Sequence, residues 1–262
     1  SSGATLQLPD GGGFQFPANS LADKITGQVY PGSVTVSAYA LHTGQAEFFT
    51  GFPGNRGFDL DKKDVFLEPY SMISTDLESN AAQSLEPAAG QLVKLIFPIS
   101  DKDLGSAPSA ISMWHYDNAM GIWIEEGKAI KNGSNYEGQV KHFSLWICAI
   151  ARPLAYVQAN ITNPQGTGLA YMKVQLFDPV TKAPVSTMAQ ADGNGYIVMP
   201  AIAGHDLELR VLNDCGETLH SRKVSFQSST NWLGKITLEA EGTGRATIQG
   251  KVENCKNGGV YS

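Results

Sequence analysis

Ser33-Val34-Thr35-Val36-Ser37-Ala38-Tyr39-Ala40-Leu41 alternates strictly, with Val34, Val36, Ala38 and Ala40 on one side and Thr35, Ser37 and Tyr39 on the other. A period of two is the mark of a β-strand with one face turned to a core. Further strands are expected over 91–97, 111–116, 121–126 and 138–150. The 28 glycines and 13 prolines recur between these runs, which is the rhythm of turns in an all-β protein. Residues 76–90, rich in Ala, Glu, Gln and Leu, are the one stretch where a short helix is plausible, but its apolar positions are sparse, so almost no helix is expected.

After the apolar strand ending at Ile150, Ala151-Arg152-Pro153 reads as a domain boundary. Beyond it, strands are expected at 155–161, 172–178, 185–190, 195–200, 207–212, 217–226 and 235–239, enough for a small antiparallel sandwich. Glu241-Gly242-Thr243-Gly244 reads as a second linker, and Ala246–Val252 echoes Ala155–Ile161, as the first strand of another module would. The expected architecture is two antiparallel β-sandwiches in series, residues 1–152 and 153–240, with an incomplete third module at 245–262.

The chain has 262 residues, a net charge of −6 and no block of Lys or Arg, so a nucleic-acid partner is not expected. Its longest apolar runs fall far short of the roughly 20 residues of a membrane-spanning helix. No basic segment followed by an apolar one opens the sequence. An export signal, with any lipid anchor, is therefore expected to have been removed or to lie outside it.

The residue pattern with most chemical content is His142-Phe143-Ser144, within the expected strand 138–150. Alternation would put His142, Ser144 and Trp146 on one face. With a strained peptide, the Ser144 hydroxyl could attack the Phe143 carbonyl, with His142 as the proton acceptor, and water would then cut the ester. The alternative is that His142 and Ser144 are ordinary strand residues. A hydrolytic triad lacks its Gly-x-Ser-x-Gly elbow.

Asp192-Gly193-Asn194-Gly195 resembles the opening of a calcium loop, but Ala203 stands where a bidentate Glu is needed, so a tight turn is the expected reading. The acidic run 59–64 reads as a solvated loop. Cys148, Cys215 and Cys255 have no CxxC spacing and no nearby His cluster, so neither a metal nor a cofactor is expected. Cys215 in a turn and Cys255 after the next module's first strand are a disulfide candidate in an oxidising compartment; Cys148 reads as a buried thiol. Trp114, Tyr116, Trp123 and Trp146 read by default as core packing; if exposed, they would instead form a platform for sugar rings.

Residues 155–238 resemble the carboxypeptidase regulatory-like, or transthyretin-like, module through Asn163-Pro164-Gln165-Gly166, Val174-Gln175-Leu176 and Ala191-Asp192-Gly193-Asn194-Gly195-Tyr196. Residues 1–150 are similar to the sandwich that precedes such modules in surface proteins of Bacteroidota-type bacteria and, more distantly, in cartilage intermediate layer proteins. That likeness is carried by Phe16-Pro17, Leu95-Ile96-Phe97-Pro98-Ile99, Met113-Trp114-His115-Tyr116-Asp117, Gly121-Ile122-Trp123 with Glu126-Gly127, and His142-Phe143-Ser144-Leu145-Trp146. The last motif also resembles the self-cleaving sandwiches of certain death-domain proteins and of a nuclear-pore protein. It implies scission between Phe143 and Ser144 with Ser144 as nucleophile. Together these features imply a non-catalytic structural or adhesive module of a secreted or cell-surface protein, joined to further modules of its chain and facing a protein or glycan ligand. Self-cleavage is a variant of that reading, and a carbohydrate-binding module of a surface glycan-utilisation system is its alternative.

Overall fold

The computed structural model describes residues 2–227 and 229–239. The expected linker at 241–244, the incomplete module at 245–262 and Cys255 lie outside the described residues.

The protein is nearly all β. The first half contains β1 (Ala4–Gln7), β2 (Gly13–Phe16), β3 (Leu21–Asp23), β4 (Val34–His42), a one-turn helix α1 (Phe48–Gly51), β5 (Arg56–Phe58), β6 (Asp64–Ser79), β7 (Leu85–Pro87), β8 (Val93–Pro98), β9 (Ala110–Asp117), β10 (Ile122–Asn132) and β11 (Asn135–Val140). Next comes β12 (Trp146–Thr162), then β13 (Lys173–Phe177), β14 (Ala189–Gln190), β15 (Tyr196–Ile202), β16 (Asp206–Leu212), β17 (Thr218–Ser225) and β18 (Thr230–Thr237).

In the first half, β10 pairs with β9, β9 with β12, β12 with β6, β6 with β5, and β5 back with β10, so five strands close a ring. Phe48, Phe52, Leu67, Met72, Trp114, Trp123, Ile147 and Ala149 form one buried cluster. A second cluster gathers Phe14, Val93, Leu95, Phe97, Tyr136 and Trp146 from β2, β8, β11 and β12. In the second half, the sheet β15-β12-β18 and the sheet β14-β13-β16-β17 are packed on a core that includes Val157, Ile161, Leu176, Met199 and Leu209.

Two expectations need correction, the single strand over 138–150 and the wholly antiparallel pairing. Residues 76–90 hold no helix, as their sparse apolar positions led one to expect: β6 runs to Ser79, a turn follows, and β7 starts at Leu85. Leu77, Ser79 and Leu85 are buried there, and the strand pairs with β4 from Ser71 to Ser79, so pairing and burial override the helix-favouring composition. The strand expected over 138–150 is two strands, with residues 141–145 in a bend between them. Pairing is also not wholly antiparallel, because β18 lies parallel to β12 and β5 parallel to β10.

At Ala151-Arg152-Pro153 the chain does not loop. β12 continues through it, pairing with β6 up to Pro153 and with β15 from Leu154 onward. The buried cores nonetheless divide here, with Ala149 and Ala155 as flanking members.

Candidate functional site

β11 ends where Val140 faces Val93, and β12 begins where Trp146 faces both His115 and Ile73. The five residues between them are fixed from outside the bend. The Phe143 backbone N–H donates to Glu86 Oε2 at 2.6 Å, while Glu86 Oε1 receives Lys24 Nζ at 2.8 Å. The Phe143 ring meets Phe16 edge-on with centroids 6.4 Å apart. The Ser144 hydroxyl donates to Tyr116 O at 3.1 Å, and Tyr116 N–H donates to Leu145 O at 2.9 Å.

His142 therefore does not face Ser144 through strand alternation, because this segment belongs to no strand. Its Nε2 lies 3.1 Å from Glu126 Oε2. Glu126 reaches it because the β9–β10 ladder slips between Glu125 and Lys128, where Gly127 takes φ +83°. Such a bulge re-aims a side chain that a regular strand would direct elsewhere. The same Glu126 oxygen lies 3.1 Å from Nδ1 of His115, a β9 residue opposite Ile124 on one side and Trp146 on the other. Lys141 Nζ sits 3.1 Å from Glu126 Oε1.

The rings pack closely. His115 and His142 are perpendicular with centroids 4.8 Å apart, and the indole of Trp146 lies 5.5 Å from the first and 5.0 Å from the second. His115 Nδ1 is buried and, despite its distance to Glu126, lacks hydrogen-bond geometry; Trp146 Nε1 is buried without a partner as well. Burial lowers the His115 pKa, and the neighbouring His142 lowers it further. Burial alone would raise the Glu126 carboxyl, but hydrogen bonds from His142 and Lys141 outweigh it and hold the group below the usual carboxylate range. The His115, Glu126 and His142 ligand atoms all lie within 4.8 Å of one another.

Sequence reading singled out His142 and Ser144 but not His115 or Glu126. Those two stand 11 residues apart, and no spacing rule unites them with a residue at 142; they meet through strand register and a bulge. Their one sequence signal was the pair of short motifs containing them, Met113–Asp117 and Glu126-Gly127.

The aromatics pack in the core, the default reading, and do not form the alternative sugar-binding platform. Trp114, Trp123 and Trp146 are buried. The Trp114 indole N–H donates to Ala149 O and that of Trp123 to Gly54 O. Tyr116 packs on Trp123 with centroids 5.1 Å apart. Asp192 Oδ1 accepts from the backbone N–H groups of Asn194 and Tyr196, which closes a turn. In the acidic run, Asp59 caps its own loop through Asp61 N–H and Lys63 N–H, and Asp64 is paired with Arg56 at 2.8 Å. Cys148 is buried, which pushes its thiol pKa well up, and Cys215 is exposed. No helix among the described residues is long and apolar enough to cross a membrane.

No family model matches the chain, and no curated protein is similar to it. Three solved structures found by similarity are pilins. The major pilin subunit BcpA of Bacillus cereus is 12% identical, with 79% of this chain and 70% of that one covered and a TM-score of 0.24. The minor pilin GBS52 of Streptococcus agalactiae is 8% identical, over 83% and 88%, with a TM-score of 0.29. The shaft pilin spaA of Lactobacillus rhamnosus GG, as its E269A mutant, is 7% identical, over 80% and 100%, with a TM-score of 0.27. Scores this low carry no inference about shared architecture or role.

Proposed function

We propose that this chain is a structural or adhesive module of an exported, surface-located protein, in which two sandwiches are held in tandem as one stiff unit. The observation that supports this reading is β12, a strand that is part of the sheets of both halves. Its 17 residues span roughly 55 Å at about 3.3 Å per residue. A stiff connector suits a part that transmits position and does not need to open and close. Surface shaving tests the proposal: protease added to intact cells of the source should remove the protein, and antibodies against it should label unpermeabilised cells. Recovery of the protein solely in the cell interior would overturn it.

Self-processing at Phe143–Ser144 is a second reading, favoured by the position of that bond. It lies in a bend outside every ladder, between strands that are each paired on two sides, β11 with β8 and β10, and β12 with β6 and β9. The sheet would therefore retain both products. For the reaction, Ser144 Oγ would turn from Tyr116 O to attack the Phe143 carbonyl carbon. The Phe143–Ser144 C–N bond would break as an ester forms and the proton moves from oxygen to the departing nitrogen; water would then release the Phe143 carboxylate and restore the hydroxyl. Intact mass under denaturing conditions decides it. Two fragments that Ser144→Ala reunites into one chain support scission, and one chain in both samples rejects it.

A further inference from the structure

We propose that His115, Glu126 and His142 form a binding site for one divalent first-row transition-metal ion of the zinc class. The three side chains come from β9, from the bulge of β10 and from the bend before β12. Among the described residues they form a group of metal-ligating type with converging ligand atoms.

Each proposed ligand atom offers a lone pair to the same small volume. Glu126 Oε2 stands 3.1 Å from one nitrogen of each imidazole. That one oxygen can be satisfied by both rings only when each turns an N–H toward it, and His115 Nδ1 has no hydrogen bond there. A cation resolves the conflict, since all three atoms then donate to it. Zinc binds His nitrogen and carboxylate oxygen at about 2.0–2.2 Å, which puts tetrahedral ligands roughly 3.3 Å apart. The two 3.1 Å separations already match, and the remaining pair lies within 4.8 Å, so a modest turn of the His142 side chain completes the set.

The surroundings suit an ion that retains a solvent ligand. The three side chains are 20%, 28% and 31% exposed, which leaves an entry path and a fourth position for water. The Trp146 indole walls the inner side. Two imidazoles with one carboxylate favour zinc, copper, nickel or iron over magnesium or calcium, which prefer all-oxygen sets. Lys141 now places an ammonium 3.1 Å from Glu126 Oε1, but its side chain is 70% exposed and can swing into solvent. Its charge opposes a metal ion, which gives the site a signature that ordinary surface adsorption lacks.

The test is calorimetric titration of the full chain, carrying Cys215→Ser and Cys255→Ser so that neither thiol of that pair takes up metal, with zinc and separately with magnesium. Cobalt titration followed by visible absorption reports the ligand set. One zinc ion per chain is expected, with no magnesium binding. His142→Ala and Glu126→Gln should each weaken zinc by about tenfold or more, and Lys141→Ala should tighten it. Circular dichroism checks that each variant folds; His142→Ala and Lys141→Ala change half-exposed or exposed side chains, so they keep the test decisive if Glu126→Gln does not fold. Absence of zinc binding at free concentrations on the order of 100 μM overturns the proposal. So does binding that these substitutions leave unchanged.

Discussion

Glu208 on β16 is gripped by three donors: Lys182 Nζ at 2.5 Å, Arg210 Nε at 2.7 Å and the Ser221 hydroxyl at 2.9 Å. Arg210 first, then Lys182 and Ser221, lower its pKa from 4.5 to about 2. A carboxylate with a depressed folded-state pKa contributes stability that is complete above its unfolded pKa and is lost as pH falls through the folded value. Thermal melts should therefore show stability declining between about pH 4.5 and 2, and Glu208→Gln should flatten that limb while lowering stability at neutral pH. An unchanged acid limb would refute the assignment. Backbone crowding makes another residue-scale prediction. A Cβ on Gly168 would lie 1.8 Å from Asn194 O, and one on Gly195, at φ +78°, would lie 2.3 Å from Ile161 O. Gly168→Ala should thus cost about 3 kcal/mol or more in denaturant unfolding, because the opposing atoms belong to backbone that cannot rotate away. The turn chemistry of Asp192-Gly193-Asn194-Gly195 was legible in the sequence for the same local reasons. The His115–Glu126–His142 cluster was not, because it depends on which strands lie side by side.

At the scale of the element, β12 is the informative case. Its second part, Ala155-Tyr156-Val157-Gln158-Ala159-Asn160-Ile161, alternates, and its apolar members are buried in the second core, so it was readable as a strand. Its first part, Trp146 to Ala149, is buried on both faces, which removes alternation but leaves an apolar run that still reads as strand. What misled was the middle, where Arg152 and Pro153 resemble a linker. They are half-exposed or exposed because neither core covers them, yet the ladder with β6 runs through both. Native-state hydrogen exchange should find those amides of residues 150–154 that point toward β6 protected, in alternation with ones that face away from it. Exchange there at the rate of an unstructured linker would contradict the pairing. Residues 76–90 form no helix for a related reason: tertiary pairing with β4 outweighs a composition that weakly favours helix.

For the whole molecule, the buried side chain of Asn55 ties the halves together. Its Nδ2 donates to Leu67 O at 2.9 Å in the first half and to Val185 O at 3.2 Å in the second, and its Oδ1 accepts from Thr187 N–H at 2.8 Å. Asn55→Ala leaves these backbone groups without partners in a site that is 0% exposed. It should cost at least about 2 kcal/mol, and scattering should show a wider spread of shapes than for the parent chain; an unaltered melting curve would count against the bridge. The passage of one strand through both halves also has a consequence for how such a sequence can change. Successive side chains of a strand point to opposite faces, so adding one residue to β12 between Ile150 and Ala155 would turn the second half, with its own core, to the other face of the strand relative to the first and pull Val185 and Thr187 away from Asn55. Adding two would restore the facing and displace one half by roughly 6.6 Å along the strand. The joint therefore has parity: lineages can lengthen it by pairs and are penalised for odd steps, whereas the turn at 163–167 carries no such counting rule.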